Sequence, residues 1–155
     1  DEVRTADNSN PKGYLEFEKV KRLHVDQSWM DEAQGKGVKI IAQLLSYLPE
    51  KFSYKIIMME REMSEVITSQ QIMLGKEVKE GVLPLGLFTA FQKQLDKIDA
   101  WQIAQPNVEI LRINYASVIE NPMDEAQKIA IFLGKELDLD AMRSTVEPEL
   151  YRNKK

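Results

Sequence analysis

Apolar residues fall along this chain in short dense clusters separated by polar punctuation, and their spacing predicts the elements. Residues 1–13 are polar and end in Asn10-Pro11-Lys12-Gly13, which reads as loop or turn. Phe17, Val20 and Leu23 recur every three residues and predict a first helix from about Glu16 to Ala33. Gly35 and Gly37 then break it. Val38-Lys39-Ile40-Ile41-Ala42 is short, apolar and β-branched, which suits a buried strand. A brief helical stretch, Gln43 to Leu48, ends at Pro49. By the same signs Tyr54 to Met59 is a second buried strand. A charged turn at Glu60-Arg61-Glu62 leads into a helix whose Val66, Ile67, Gln70, Met73 and Leu74 share one face. Gly81 and Pro84 separate it from another helix, with Phe88, Phe91, Leu95 and Ile98 at spacings of three and four. Pro106-Asn107 is a turn, and Val108 to Ile113 is a third strand. Asn121-Pro122 has the form of an N-cap with proline at the first helical position. Asp124 and Glu125 sit where the helix dipole favours acids, and Gly134 is a natural stop. A short last helix is expected from Asp138 to Thr145, before Pro148.

Near-continuous apolar strands alternating with helices imply an α/β fold: a three-layer parallel sheet with helices on both faces. Three strands are few for such a sheet, so one edge is unaccounted for. The 155 residues fit one domain, 1–155, without internal repeats. The three strands should be parallel neighbours, with their carboxyl ends forming the binding edge.

Composition narrows the chemistry. The formal charge is −4, with 21 basic against 25 acidic residues. That balance argues against nucleic acid and anionic membrane as partners. The absence of cysteine removes disulfides, thiolate metal sites and cysteine nucleophiles. With one histidine, His24, no metal site is expected and a Ser-His-Asp triad would hang on that residue alone. No apolar run approaches the roughly 20 residues that span a bilayer, so a cytoplasmic protein is expected.

Gly35-Lys36-Gly37 reads as a simple turn, because a phosphate loop needs G-x-x-x-x-G-K-[ST] between a strand and a helix. His24, among Lys21, Arg22 and Asp26, reads as a surface histidine. Met58 and Met59, within the strand, read as core. The strongest signal is the strand-turn-helix from Tyr54 to Gln71. Arg61 stands just past the strand's carboxyl end, and Ser69 follows eight residues later. A guanidinium and a hydroxyl converging there suit a phosphate. A solvated Arg61 pairing with Glu60, Glu62 or Glu65 explains the same residues equally well.

The segment from Tyr54 to Ser69 resembles the strand-turn-helix of sulfotransferases, in which an Arg ends a hydrophobic strand and a Ser lies eight positions on. Asn114-Tyr115-Ala116-Ser117-Val118-Ile119-Glu120-Asn121-Pro122, followed by Ile129-Ala130-Ile131-Phe132-Leu133-Gly134, resembles the family's Y-E-D-L-x-x-x-P segment and I-x-x-F-L-G helix. Asn10 to Glu16, and Val146-Glu147-Pro148-Glu149-Leu150-Tyr151-Arg152, are similar to bacterial members. The resemblance implies a P-loop-NTPase-type fold and the donor 3′-phosphoadenosine 5′-phosphosulfate (PAPS). Arg61 and Ser69 would hold its 3′-phosphate, and Tyr115 would border the adenine.

The chain also departs from the family. It contains no P-K-S-G-T or R-S-G-T turn, the family's phosphosulfate loop. That loop and the first strand are expected upstream of Asp1, which makes the chain N-terminally truncated or divergent. Ile40-Ile41-Ala42-Gln43 stands where many members carry K-T-H, so no catalytic base is assigned. No R-K-G segment follows, and Ser117-Val118 replaces Asp-Leu. Intact relatives would transfer a sulfuryl group from PAPS to a hydroxyl or amine of an unidentified small-molecule acceptor. The alternative is a noncatalytic nucleotide-binding or protein-interaction domain on the same fold. A homo-oligomer through the open sheet edge is a further expectation.

Overall fold

In the computed structural model two strands, β1 (Tyr54–Glu60) and β2 (Val108–Asn114), pair in parallel, from Tyr54 opposite Val108 to Glu60 opposite Asn114. The structure describes residues 6, 11–75 and 84–151. Between the strands lie α1 (Met63–Met73) and α2 (Leu85–Ala104). After β2 come α3 (Tyr115–Glu120), α4 (Pro122–Leu133) and α5 (Leu139–Ser144). The fold is α/β, with a small two-stranded parallel sheet among the described residues.

Strand alternation sorts the sheet into two faces. Tyr54, Ile56 and Met58 of β1 and Ile110 of β2 turn to one side, where they meet Leu95, Ile98 and Trp101 of α2. The same core takes in Val20, Leu23, Trp29 and Met30 from the N-terminal segment, with Leu45 and Leu48. Lys55 points to the opposite side, where its Nζ donates to the Phe132 carbonyl of α4 at 2.6 Å and lies over the Phe132 ring. Helix α4 touches both strands there. Helices α2 and α4 thus lie against opposite faces of the small sheet. Arg112 of β2 ties the layers laterally, donating from Nη1 to Glu60 of β1 at 2.5 Å and from Nη2 to Asp99 of α2.

The helix ends follow their local chemistry. Asn114 accepts from the N–H groups of Ala116 and Ser117, so β2 passes into α3 without a gap. Asp138 caps α5 by accepting from Ala141 N–H. Gly134 takes φ of 65°, and the Gly134 and Lys135 N–H groups return to Ile131 and Ala130 carbonyls. This left-handed turn suits glycine and stops α4 where expected.

Several expectations are corrected. No helix spans Glu16 to Ala33; two 3₁₀ segments, Glu18–Arg22 and Ser28–Asp31, occupy that stretch. The strict three-residue spacing of Phe17, Val20 and Leu23 matches the 3.0-residue turn of a 3₁₀ helix better than the 3.6 of an α-helix. Asp26 then interrupts the run by accepting from the N–H and Oγ of Ser28, and those bonds hold its carboxyl below the usual range.

Val38 to Ala42 is no strand. Val38, Ile40 and Ala42 pack on the core, Ile41 is half-exposed, and the backbone runs on into a 3₁₀ segment, Ala42–Tyr47. Burial of alternate side chains satisfies the apolar pattern without a neighbouring ladder. The sheet thus has two parallel neighbours among the described residues, not three. On α1 the buried positions are Glu65 and Ile67, whereas Gln70, Met73 and Leu74 are exposed. Met58 is core, but Met59 is half-exposed on the other side of the strand. Asn10, Gly81 and Arg152 lie outside the described residues.

Leu23 and Ile113 are fully enclosed, whereas Ile103 is 88% exposed. Leu23→Ala and Ile113→Ala should each cost about 2–5 kcal/mol by urea denaturation. Ile103→Ala should cost no more than about 0.5 kcal/mol. Equal losses at the three positions would refute this assignment of the core.

Candidate functional site

The register of the sheet brings the first site residues together. Glu60 ends β1 opposite Asn114, which ends β2, so Arg61 and Tyr115 leave adjacent strands side by side. The Arg61 guanidinium carbon lies 5.2 Å from the Tyr115 ring centre, within cation–π range. A second ring, Tyr151, stands 5.0 Å from the same carbon. The two tyrosines meet edge to face, with centres 5.2 Å apart and planes at 85°. Arg61 is thus seated in an aromatic corner at the carboxyl end of the sheet.

Helix α1 supplies the counter-charge. Arg61 Nε donates to Glu65 Oε2 at 2.8 Å, and the Tyr151 hydroxyl donates to both Glu65 oxygens at 2.9 Å. The Glu65 side chain is only 6% exposed and that of Arg61 23%. Burying a carboxylate is costly unless it is paired and hydrogen-bonded, and both conditions are met here. The hydrogen bond to Glu65, ahead of partial burial, pushes the Tyr151 phenol above its ordinary value.

Ser69 is half-buried on α1, four residues beyond Glu65 and so on the same helix face. It adds no hydrogen bond to the cluster. The structure therefore brings Arg61 and Tyr115 into contact and sets Ser69 about 6 Å further along the helix axis from Glu65, at 1.5 Å rise per residue. Of the alternatives weighed for Arg61, the pairing with Glu65 is present. Tyr151 was not among the site residues expected from sequence. It bonds Glu65 across 86 positions, and no local pattern announces such a contact.

Other candidates lie apart from this cluster. His24 is exposed, with its ring edge-on to Tyr47 at 6.0 Å. Gly35, at φ of 73°, makes a turn in which Lys36 N–H returns to the Ala33 carbonyl. A cleft of about 400 Å³ between α3, α4 and α5 is lined by Val118, Glu125, Ile129, Met142 and neighbours, and includes none of Arg61, Ser69 or Tyr115. Among the described residues no cluster of His, Cys, Asp and Glu could hold a metal ion. No helix among them is long and apolar enough to cross a membrane.

No protein-family model matches the chain, and neither a curated protein nor a solved structure matches it significantly.

Because the raised Tyr151 pKa reflects a proton held more tightly in the folded state, its stabilisation is complete below the ordinary phenol pKa of about 10. It is lost as pH rises through the folded-state value. Absorbance titration at 295 nm should find one late-titrating phenol missing in Tyr151→Phe. Stability should also fall less steeply above pH ~10 in that variant than in the wild type. Tyr54 titrates late as well, since burial pushes it up to about 12, and serves as the internal reference. Identical alkaline limbs in variant and wild type would contradict the Tyr151–Glu65 bond.

Proposed function

We propose that this chain is a sulfotransferase-like domain of the P-loop type that binds the 3′-phosphoadenosine portion of PAPS. Arg61 and Ser69 take the 3′-phosphate, and Tyr115 borders the adenine. The observation that supports this reading is the contact of Arg61 with Tyr115 at the common carboxyl end of two parallel strands. In open α/β sheets that edge is where ligands collect. A cation and an aromatic ring, set side by side there, match a ligand that carries a phosphate next to a base.

In an intact enzyme of this kind the sulfuryl group passes from PAPS to a hydroxyl or amine. Catalysis then rests on positioning and on stabilising charge at the moving group and the leaving phosphate. No residue of this chain is assigned as the base. The second reading is a noncatalytic nucleotide-binding or protein-interaction domain. It draws on the bond from Arg61 to Glu65, which gives Arg61 a structural role with or without a ligand. The proposal also includes self-association through the outer edge of β1. Tyr54 N–H bonds the Asn107 carbonyl of the neighbouring chain segment, so strand alternation turns the backbone of Lys55, Ile57 and Met59 outward.

Calorimetry with 3′,5′-bisphosphoadenosine tests the reading. The protein should prefer it to 5′-AMP by about tenfold or more, the worth of one charge-assisted hydrogen bond. Arg61→Ala should erase that preference. Equal affinity for both nucleotides, or an unchanged preference in Arg61→Ala, sinks the 3′-phosphate assignment. With labelled PAPS and a panel of phenols and amines, these 155 residues should give no sulfuryl transfer, since they contain no phosphosulfate turn. Measurable transfer would overturn this expectation.

A further inference from the structure

We infer that Glu65 and Tyr151 are positioning residues for Arg61, and that the C-terminal turn ending at Tyr151 forms one wall of the anion site. The identity of the ligand rests on the nucleotide reading above; the positioning rests on geometry alone.

An arginine just beyond a strand end has four side-chain torsions and, left in solvent, samples many rotamers. Ordering it at the moment of binding costs affinity, and ordering it beforehand removes that cost. Three groups from three parts of the chain act on Arg61. Glu65 takes its Nε from α1, Tyr115 flanks it from the end of β2, and Tyr151 flanks it from the C-terminal turn. A guanidinium held at Nε and set against two perpendicular rings keeps its plane in one orientation.

Tyr151 does two jobs in this arrangement. Its ring is a wall of the corner, and its hydroxyl spans both oxygens of the Glu65 carboxylate. That bond fixes the carboxylate which in turn fixes Arg61. The turn that carries Tyr151 is itself fastened. Pro148–Leu150 forms a 3₁₀ turn, Tyr151 N–H returns to the Pro148 carbonyl, and Glu147 pairs with Lys12. Residues 147–151 thus reach the sheet edge as a hydrogen-bonded turn.

The sign of the Glu65 effect separates positioning from competition. A carboxylate that merely neutralised Arg61 would repel a phosphate, and its removal would tighten binding. A carboxylate that orients Arg61 does the reverse. The wild-type protein, Glu65→Gln, Tyr151→Phe and Tyr151→Leu are titrated with 3′,5′-bisphosphoadenosine and with 5′-AMP. In parallel, ¹⁵N NMR follows hydrogen exchange at Arg61 Nε–H without ligand. Glu65→Gln and Tyr151→Leu should each lower the preference for the bisphosphate about tenfold. Tyr151→Phe, which keeps the ring, should recover part of the loss. Exchange at Arg61 Nε–H should be slow in the wild type and faster in Glu65→Gln.

Tighter bisphosphate binding by Glu65→Gln, or an unchanged preference in both Glu65→Gln and Tyr151→Leu, overturns the inference. If the wild type binds neither nucleotide, the nucleotide reading falls and exchange decides the positioning. Slow exchange relieved by Glu65→Gln then sustains it, and exchange equally fast in both proteins overturns it.

Discussion

The in-register parallel pairing of β1 and β2 is the constraint on which the rest of the arrangement depends. Register fixes which residues reach the end of the sheet together, and here it ends both strands at the Glu60–Asn114 pair. Each strand then turns at once into polar structure: Arg61 and Glu62 ahead of α1, and the Asn114-capped start of α3. A slip by one residue would turn Tyr54, Ile56 and Met58 away from α2, exchanging a buried face for Lys55 and Met59. The hydrophobic core beneath the sheet therefore enforces the meeting of Arg61 and Tyr115 above it.

Glu65 is the next dependency. It is buried on α1, as Ile67 is, and an unpaired carboxylate there would be costly. Arg61 and Tyr151 remove that cost from opposite directions in sequence, one from four residues upstream and the other from 86 downstream. Removing one partner of such a pair typically costs about 3–5 kcal/mol, far more than the pair adds over an apolar replacement. The cluster ties strand, helix and the turn at Tyr151 to one another through a single carboxylate.

Legibility in the sequence followed how local each signal was. β1, β2, α2, α4 and the Gly134 stop were readable because apolar runs, a proline at the first helical position and a left-handed glycine act within a few residues, although Asn121, the expected N-cap of α4, makes no side-chain cap hydrogen bond. Val38 to Ala42 misled because a β-branched alternating run describes any half-buried extended segment, and only a neighbouring backbone makes it a strand. The 16–33 stretch misled because apolar residues three apart suit an α-helix and a 3₁₀ helix alike over so short a run. At the site, Arg61 was legible as a residue just past a strand end, and Tyr115 only through the family resemblance. Glu65 was visible only as one of three acids around Arg61, and geometry chose among them. Tyr151 was illegible as a site residue, since its partner lies across most of the chain.

The same cluster bears on how an anion could be recognised by a protein of net charge −4. Its overall field does not gather phosphates, and a surface arginine in water interacts with them weakly and under salt screening. On the nucleotide reading proposed above, recognition would have to come from local desolvation and fixed geometry. Arg61 has both, with a side chain 23% exposed between two rings and a carboxylate behind it. Glu65 takes Arg61 at Nε and so holds the guanidinium in one orientation, the fixed geometry that such a contact needs. An adenine attached to a phosphate would, under that proposal, engage the aromatic edge together with the oriented cation. On that reading the carboxylate acts by orienting the cation that the ligand meets, and not by competing with the ligand for it.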